Sequence, residues 1–297
     1  MTGLATRQSG AACVPPCWVL QNVDPDPMSG TRPQVDTMEE ELLTYELRAD
    51  HVAILTMNRP HKMNALNAGL CGAIVEGLRR FQSDPDAWVG ILTGAGKAFC
   101  AGGDLENMRL GSADGGDWVG AIDHLKPLFD ALEGERKPLI AAVNGFCMGG
   151  GLGLAHACSL IVAAESARFG MPEAAVGVPN FSYFDLWKTV GYRRALELSL
   201  TADPYPASHM LNIGFLNQVV PDAQLMPAAL ALAARVAKNA PLATTGAEQG
   251  MKFTLHNPRE AWAAAAPDIW KKVLASDDLR EGLAAFAERR KPGWRNT

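Results

Sequence analysis

Several features that would place a chain quickly are missing here. No apolar run approaches the roughly 20 residues that a membrane-spanning helix needs, so no membrane-embedded role is expected. Lys and Arg number 27 against 32 Asp and Glu, a net charge of −5, and the basic excess of a general nucleic-acid binder is absent. The six cysteines (13, 17, 71, 100, 147 and 158) are scattered and suggest no disulfide framework in so large a chain. Cys13 and Cys17 are spaced CxxxC, but no second pair or nearby histidine completes a zinc site, and no metal is expected. Solenoid-length repeats are also lacking. What remains is an ordinary globular composition, 48% apolar and 20% charged over 297 residues. That length allows a sizeable core in one large domain or two small ones. A reduced, cytoplasmic protein is the simplest expectation.

Residues 1–37 carry prolines 15, 16, 25, 27 and 33 and no periodic pattern, which predicts a disordered or loosely attached tail. It has no apolar core with a basic flank and cleavage site, so a targeting role has little support. The stretch from Met38, MEEELLTYELR, reads as a sensible beginning, as Met28 also could.

Two stretches share one plan. Lys137 to Ala157, KPLIAAVNGFCMGGGLGLAHA, opens with a short apolar run of the kind that makes a buried strand. Asn144-Gly145 then breaks the run, and Gly149, Gly150 and Gly151 lead into a helix of small residues. Val89 to Met108, VGILTGAGKAFCAGGDLENM, repeats the sequence of strand, glycine loop and helix start, with Asp104 as an N-cap candidate. A glycine turn at a helix start presents unpaired N–H groups and the positive end of the helix dipole. Two such turns can aim two N–H groups at one carbonyl oxygen. Alone, each is equally a tight strand-to-helix turn with no ligand.

At these residues the chain resembles the crotonase superfamily, the enoyl-CoA hydratase/isomerase family. The resemblance rests on NRPHKMNAL (58–66), GKAFCAGGDL (96–105), KPLIAAVNGFCMGGG (137–151), FGMPEAAVG (169–177) and DDLREGLAAFAERRK (277–291), in family order, and covers roughly Leu43 to Trp294. It implies an α/β superhelix of repeated ββα units followed by a helical C-terminal region, with boundaries near 38–223 and 224–297. The C-terminal helices support trimers or dimers of trimers in the family; their apolar stripes are equally consistent with packing inside one monomer. The implied substrate is a coenzyme A thioester, with no tightly bound cofactor. The N–H groups of Gly103 and Gly150 would hold its carbonyl oxygen. Contacts to the coenzyme would come from Lys62, Ala65 and Leu66 and from Ala101, Gly103, Asp104, Leu105 and Glu106. Arg289, Arg290 and Lys291 either reach its phosphates or form a solvated helix end.

The local patterns fill this outline. Strands are expected at Tyr45–Arg48, Val52–Met57, Trp88–Thr93, Leu139–Val143, Leu160–Ala164, Arg168-Phe169 and Val219–Pro221. Asn67 to Phe81 is an amphipathic helix with Leu70, Ile74, Leu78 and Phe81 on one face. Further helices are expected over 117–136, 183–201, 206–215, 224–239, 241–255, 259–274 and 277–290.

Acid–base groups decide the reaction. Hydratases of the family use two glutamates, and alignment on the triple glycine puts the first at Gly153, where no side chain can take a proton. The second matches Glu173 in Gly-Met-Pro-Glu, which would serve as general acid and base; its plain alternative is a first-turn glutamate after Pro172. One glutamate beside an oxyanion hole can move a double bond without activating water, as in the family's isomerases. Glycine at the first position is also found in the 3-hydroxyisobutyryl-CoA hydrolases, and a non-catalytic acyl-CoA binder is a further alternative. The segment Val178 to Asp185 is bulkier than the family's glycine-rich stretch and should reshape the acyl pocket. Tyr183 or Asp185 could replace the missing carboxylate, or Asp185 could cap the next helix. His156 reads as a structural histidine, and Cys100 and Cys147 as small packing residues.

Overall fold

The computed structural model describes residues 41–105, 122–134, 137–178 and 185–297. Glu106, Tyr183 and, of the helix expected over 117–136, residues 117–121 and 135–136 lie outside them, as does the tail.

In chain order the first elements are β1 (Leu43–Leu47), β2 (Val52–Met57), α1 (Ala68–Ser83), β3 (Val89–Gly94), β4 (Ala98–Cys100) and α2 (Leu125–Glu133). Next come β5 (Leu139–Val143), β6 (Phe146–Met148), α3 (Gly150–Ala157), β7 (Leu160–Ala164) and β8 (Arg168–Gly170). A 3-10 turn (Pro172–Val176), α4 (Leu186–Val190), α5 (Tyr192–Thr201), β9 (Tyr205–Pro206), α6 (Ala207–Asn212) and β10 (Gln218–Val220) follow. Four helices close the chain: α7 (Leu225–Ala237), α8 (Pro241–His256), α9 (Arg259–Ala275) and α10 (Asp277–Glu288).

Two sheets result. The larger has six strands in the order β1-β2-β3-β5-β7-β10, antiparallel only between β1 and β2; the smaller has four, β4-β6-β8-β9. Three times, a strand of the large sheet passes through a short turn into a strand of the small one: β3 to β4, β5 to β6 and β7 to β8. This is the expected ββα winding. The strands β3, β5 and β7 are apolar on both sides because both faces are covered. Successive residues alternate faces, so Leu92, Ala141 and Ala163 join the core containing Leu70, Leu78 and Phe81 of α1. Ile91, Ile140 and Val162 face the other way, against Leu225, Ala229 and Ala233 of α7.

Lys137 shows why a cation precedes β5. Its Nζ donates to the carbonyls of Phe81 (2.9 Å), Asp84 (2.6 Å) and Ala87 (2.8 Å), closing the C-terminal end of α1. The helix expected over 183–201 is broken in its described part: α4 ends and α5 begins at Gly191, whose φ of 85° is left-handed. Among the described residues, no helix is long and apolar enough to cross a membrane, and no metal-binding group of His, Cys, Asp and Glu occurs.

Candidate active site

The site is built on the second sheet. The loop after β2 turns at Asn64, which is fully buried with φ 55°. Its Nδ2 donates to Ala95 O (3.0 Å) and Ala98 O (2.8 Å), and its Oδ1 accepts from the Arg59 amide (2.9 Å). One side chain thereby satisfies three backbone groups that the loop would otherwise bury unpaired. Arg59 Nη1 then donates to Ala65 O (3.0 Å) and to Asp104 Oδ2 (2.7 Å), an ion pair with side chains only 12% and 7% exposed. The loop and the turn after β4 are also joined through backbone: Ala101 N to Met63 O (3.0 Å), Leu66 N to Gly102 O (2.7 Å) and Asp104 N to Leu66 O (2.9 Å). The loop ending at Leu66 therefore lies beside the turn from Ala101 to Asp104.

That pairing has a geometric consequence. Leu66 and Gly103 form a parallel bridge in which Leu66 bonds the residues on either side of Gly103. The N–H of Gly103 consequently turns away from Leu66, toward the turn between β6 and α3. Gly150 is the first residue of α3, so its N–H has no acceptor within the helix. Among the described residues neither amide donates a hydrogen bond.

The two turns adjoin. A Cβ built on Gly102 (φ 97°) would stand 2.9 Å from Met148 O and 3.5 Å from the Gly150 nitrogen, and one on Gly150 would lie 3.9 Å from the Gly103 nitrogen. Glu173 reaches the same place. It is the second residue of the 3-10 turn that follows β8, with Pro172 at the turn's start. A Cβ on Gly149 (φ 52°) would meet Glu173 Oε1 at 2.9 Å, and Glu173 Oε2 is buried. Three segments far apart in sequence thus bring Gly103, Gly150 and the Glu173 carboxyl group close together. Such a set can polarise a carbonyl oxygen and exchange a proton with a neighbouring carbon.

At this point the comparisons with known proteins settle the family. Residues 48–297 match the family model described as enoyl-CoA hydratase/isomerase. The chain belongs to the enoyl-CoA hydratase/isomerase family, within the crotonase superfamily. It is 34% identical over 251 residues to the mevalonyl-coenzyme A hydratase of Aspergillus fumigatus, covering 82% of this chain and 92% of that one. With the short-chain-enoyl-CoA hydratase of Clostridium acetobutylicum it shares 34% identity over 249 residues, 82% and 95% of the two chains. The crystal structure of enoyl-CoA hydratase from Mycobacterium tuberculosis H37Rv superposes with a TM-score of 0.77 at 35% identity, covering 87% of this chain and 100% of that one. As a member of this family the protein is an acyl-CoA enzyme with a crotonase-type α/β fold.

Other expectations resolve individually. Gly153 is buried on α3, its N–H bonded to Gly149 O (3.1 Å). Asp104, expected as an N-cap, binds Arg59 through its carboxylate. Arg290 is held at its own helix end by Glu281 (Nη2 to Oε2, 2.8 Å) and Glu288 (Nε to Oε2, 2.6 Å). Its partnership pulls Glu281 down to about 2, which favours the structural reading of that cation. Cys100 and Cys147 are fully buried; burial pushes the Cys100 thiol up to about 12 and the Cys147 thiol well above its usual value. Both are packing residues. Asp185 makes no capping hydrogen bond to α4. Its carboxylate lies 3.4 Å from His156 Nε2 and 3.5 Å from His256 Nδ1. The pairing of Arg59 with Asp104 was not foreseen: 45 residues separate the two, and no local pattern encodes such a contact.

Proposed function

We propose that the enzyme binds an acyl-CoA thioester with its carbonyl oxygen between the N–H groups of Gly103 and Gly150, and that Glu173 moves a proton to or from the carbon next to that carbonyl. The observation that carries this reading is the convergence of the two glycine turns on Glu173 Oε1. Each donor, placed where negative charge develops, lowers the barrier by about 3–4 kcal/mol. The resulting enolate is protonated by the same carboxyl group at a second carbon, which shifts a double bond. A lone glutamate suffices for that isomerisation, and Gly153 supplies no second one. Coenzyme A is part of the substrate, contacted by Lys62, Ala65, Leu66 and residues 101–106, and no tightly held cofactor takes part. Exposed apolar side chains on the last helices, Leu274 at 65% and Phe286 at 87%, support burial in a homotrimer or a dimer of trimers.

The test is turnover of a 3-enoyl-CoA. Conversion to the conjugated 2-enoyl-CoA should occur in the native enzyme and fall by roughly 10²–10⁴ in Glu173→Gln, without release of free thiol. Thiol release would instead identify a hydrolase, and tight binding with no turnover a non-catalytic binder. The names of the relatives favour a second reading, hydration of a 2-enoyl-CoA, which requires another group to activate water.

A further inference from the structure

Hydration needs a base where Gly153 has none, and α3 carries a different group on the same face. Gly153 and His156 are spaced i and i+3, so they share one face of the helix. Gly149, which caps that helix one turn before Gly153, is where Glu173 Oε1 makes its approach. Helical side chains lean toward the N-terminus over the preceding turn. The turn beneath His156 contains Gly153, which has no side chain to keep the imidazole out. His156 is largely buried, with 12% of its side chain exposed, and its Nε2 faces Asp185 Oδ1 at 3.4 Å.

We propose that His156, oriented by Asp185, is the water-activating base of this site and gives the enzyme hydratase activity in place of the glutamate missing at Gly153. The inference rests on the thioester-binding role assigned to Gly103, Gly150 and Glu173. With Nε2–H turned to Asp185, Nδ1 keeps the lone pair that accepts a proton. Water loses that proton to Nδ1 as its oxygen bonds the β-carbon of a 2-enoyl-CoA. The π pair moves to the α-carbon, with charge on the thioester oxygen, and protonated Glu173 donates a proton to the α-carbon. The imidazolium then releases its proton to solvent and Glu173 regains one, so the cycle closes. Asp185 acts through His156 and is a positioning residue. His156 holds its carboxylate below the usual range, and His256 of α8 and Lys188 of α4 add to this, so it is an ionised partner for the imidazole.

The experiment follows two reactions on the same preparations: hydration of a 2-enoyl-CoA and isomerisation of a 3-enoyl-CoA. His156→Gln should lower hydration at least 100-fold relative to isomerisation. Asp185→Asn should lower that ratio about tenfold, and Asp185→Glu should restore much of it. The two Asp185 variants carry the same hydration-to-isomerisation readout if the His156 variant does not fold. Equal loss of both reactions, an unchanged ratio, or no hydration by the native enzyme would overturn the proposal. Glu173→Gln leaving both reactions intact would instead overturn the underlying site assignment.

Discussion

The turn at Ala101–Asp104 is fastened by side chains as well as backbone: the buried Arg59–Asp104 pair adds to the backbone bonds with Met63 and Leu66, and Asn64 ties the strand before it. The turn at Gly149–Gly151 has almost no side chains and is fastened by backbone. Gly149 N donates to Gly170 O at 2.9 Å, and a Cβ on Gly151 would sit 2.2 Å from Cys100 O. The first turn carries an ion-paired side chain at Asp104, although a Cβ on Gly102 would meet Met148 O at 2.9 Å. The second is wedged between β4 and Glu173 and has room for backbone only. The difference predicts that damage to the second turn should appear mainly as lost activity, and damage to the first mainly as lost stability.

The largest effect is expected from Gly149→Ala. The added methyl meets Glu173 Oε1 and also strains a left-handed residue, so the carboxyl group and the Gly150 N–H are both displaced. A loss of roughly 10³ in kcat, with a folded protein by circular dichroism, would bear out the contrast; near-native activity would break it. Arg59→Met tests the first turn. Removing one partner of a buried ion pair costs about 3–5 kcal/mol, measurable by denaturant unfolding, and Arg59→Met combined with Asp104→Leu should recover part of it. A variant with unchanged stability would mean that the pair does not hold the turn. The smallest effect concerns rigidity. Cys100 and Cys147 flank the two turns, and with the Cys100 thiol pushed to about 12 by burial, neither should label with a thiol reagent at pH 8 in the native state. Labelling of one cysteine and not the other, read by peptide mapping, would show which turn opens.

Much of this frame is legible in the chain before any coordinates. Leu139–Val143 and Leu160–Ala164 are strands with the expected ends, and Leu70, Ile74, Leu78 and Phe81 are the buried face of α1. The strands read as continuous apolar runs because both of their faces are covered, and the helix reads by its periodicity because it buries one face along its length. The strands β4 and β6 are different. Each spans only three residues inside a glycine-containing loop, too short to show alternation, and they exist because the small sheet pairs them. Gly103, Gly150 and Glu173 are visible through the family's motifs. Their mutual approach, the Arg59–Asp104 pair and the contact of His156 with Asp185 are tertiary facts, set by winding successive segments onto one another, from 23 residues apart for Gly150 and Glu173 to 47 for Gly103 and Gly150.

The central claim is that the thioester oxygen lies between two backbone N–H groups. Its most direct test is the carbonyl stretch of a thioester labelled with carbon-13 at that carbonyl, read by difference vibrational spectroscopy in the bound state. A stretch shifted to lower frequency than in water, and retained in Glu173→Gln, is the predicted result. A bound carbonyl that vibrates as it does in free solution would contradict the account.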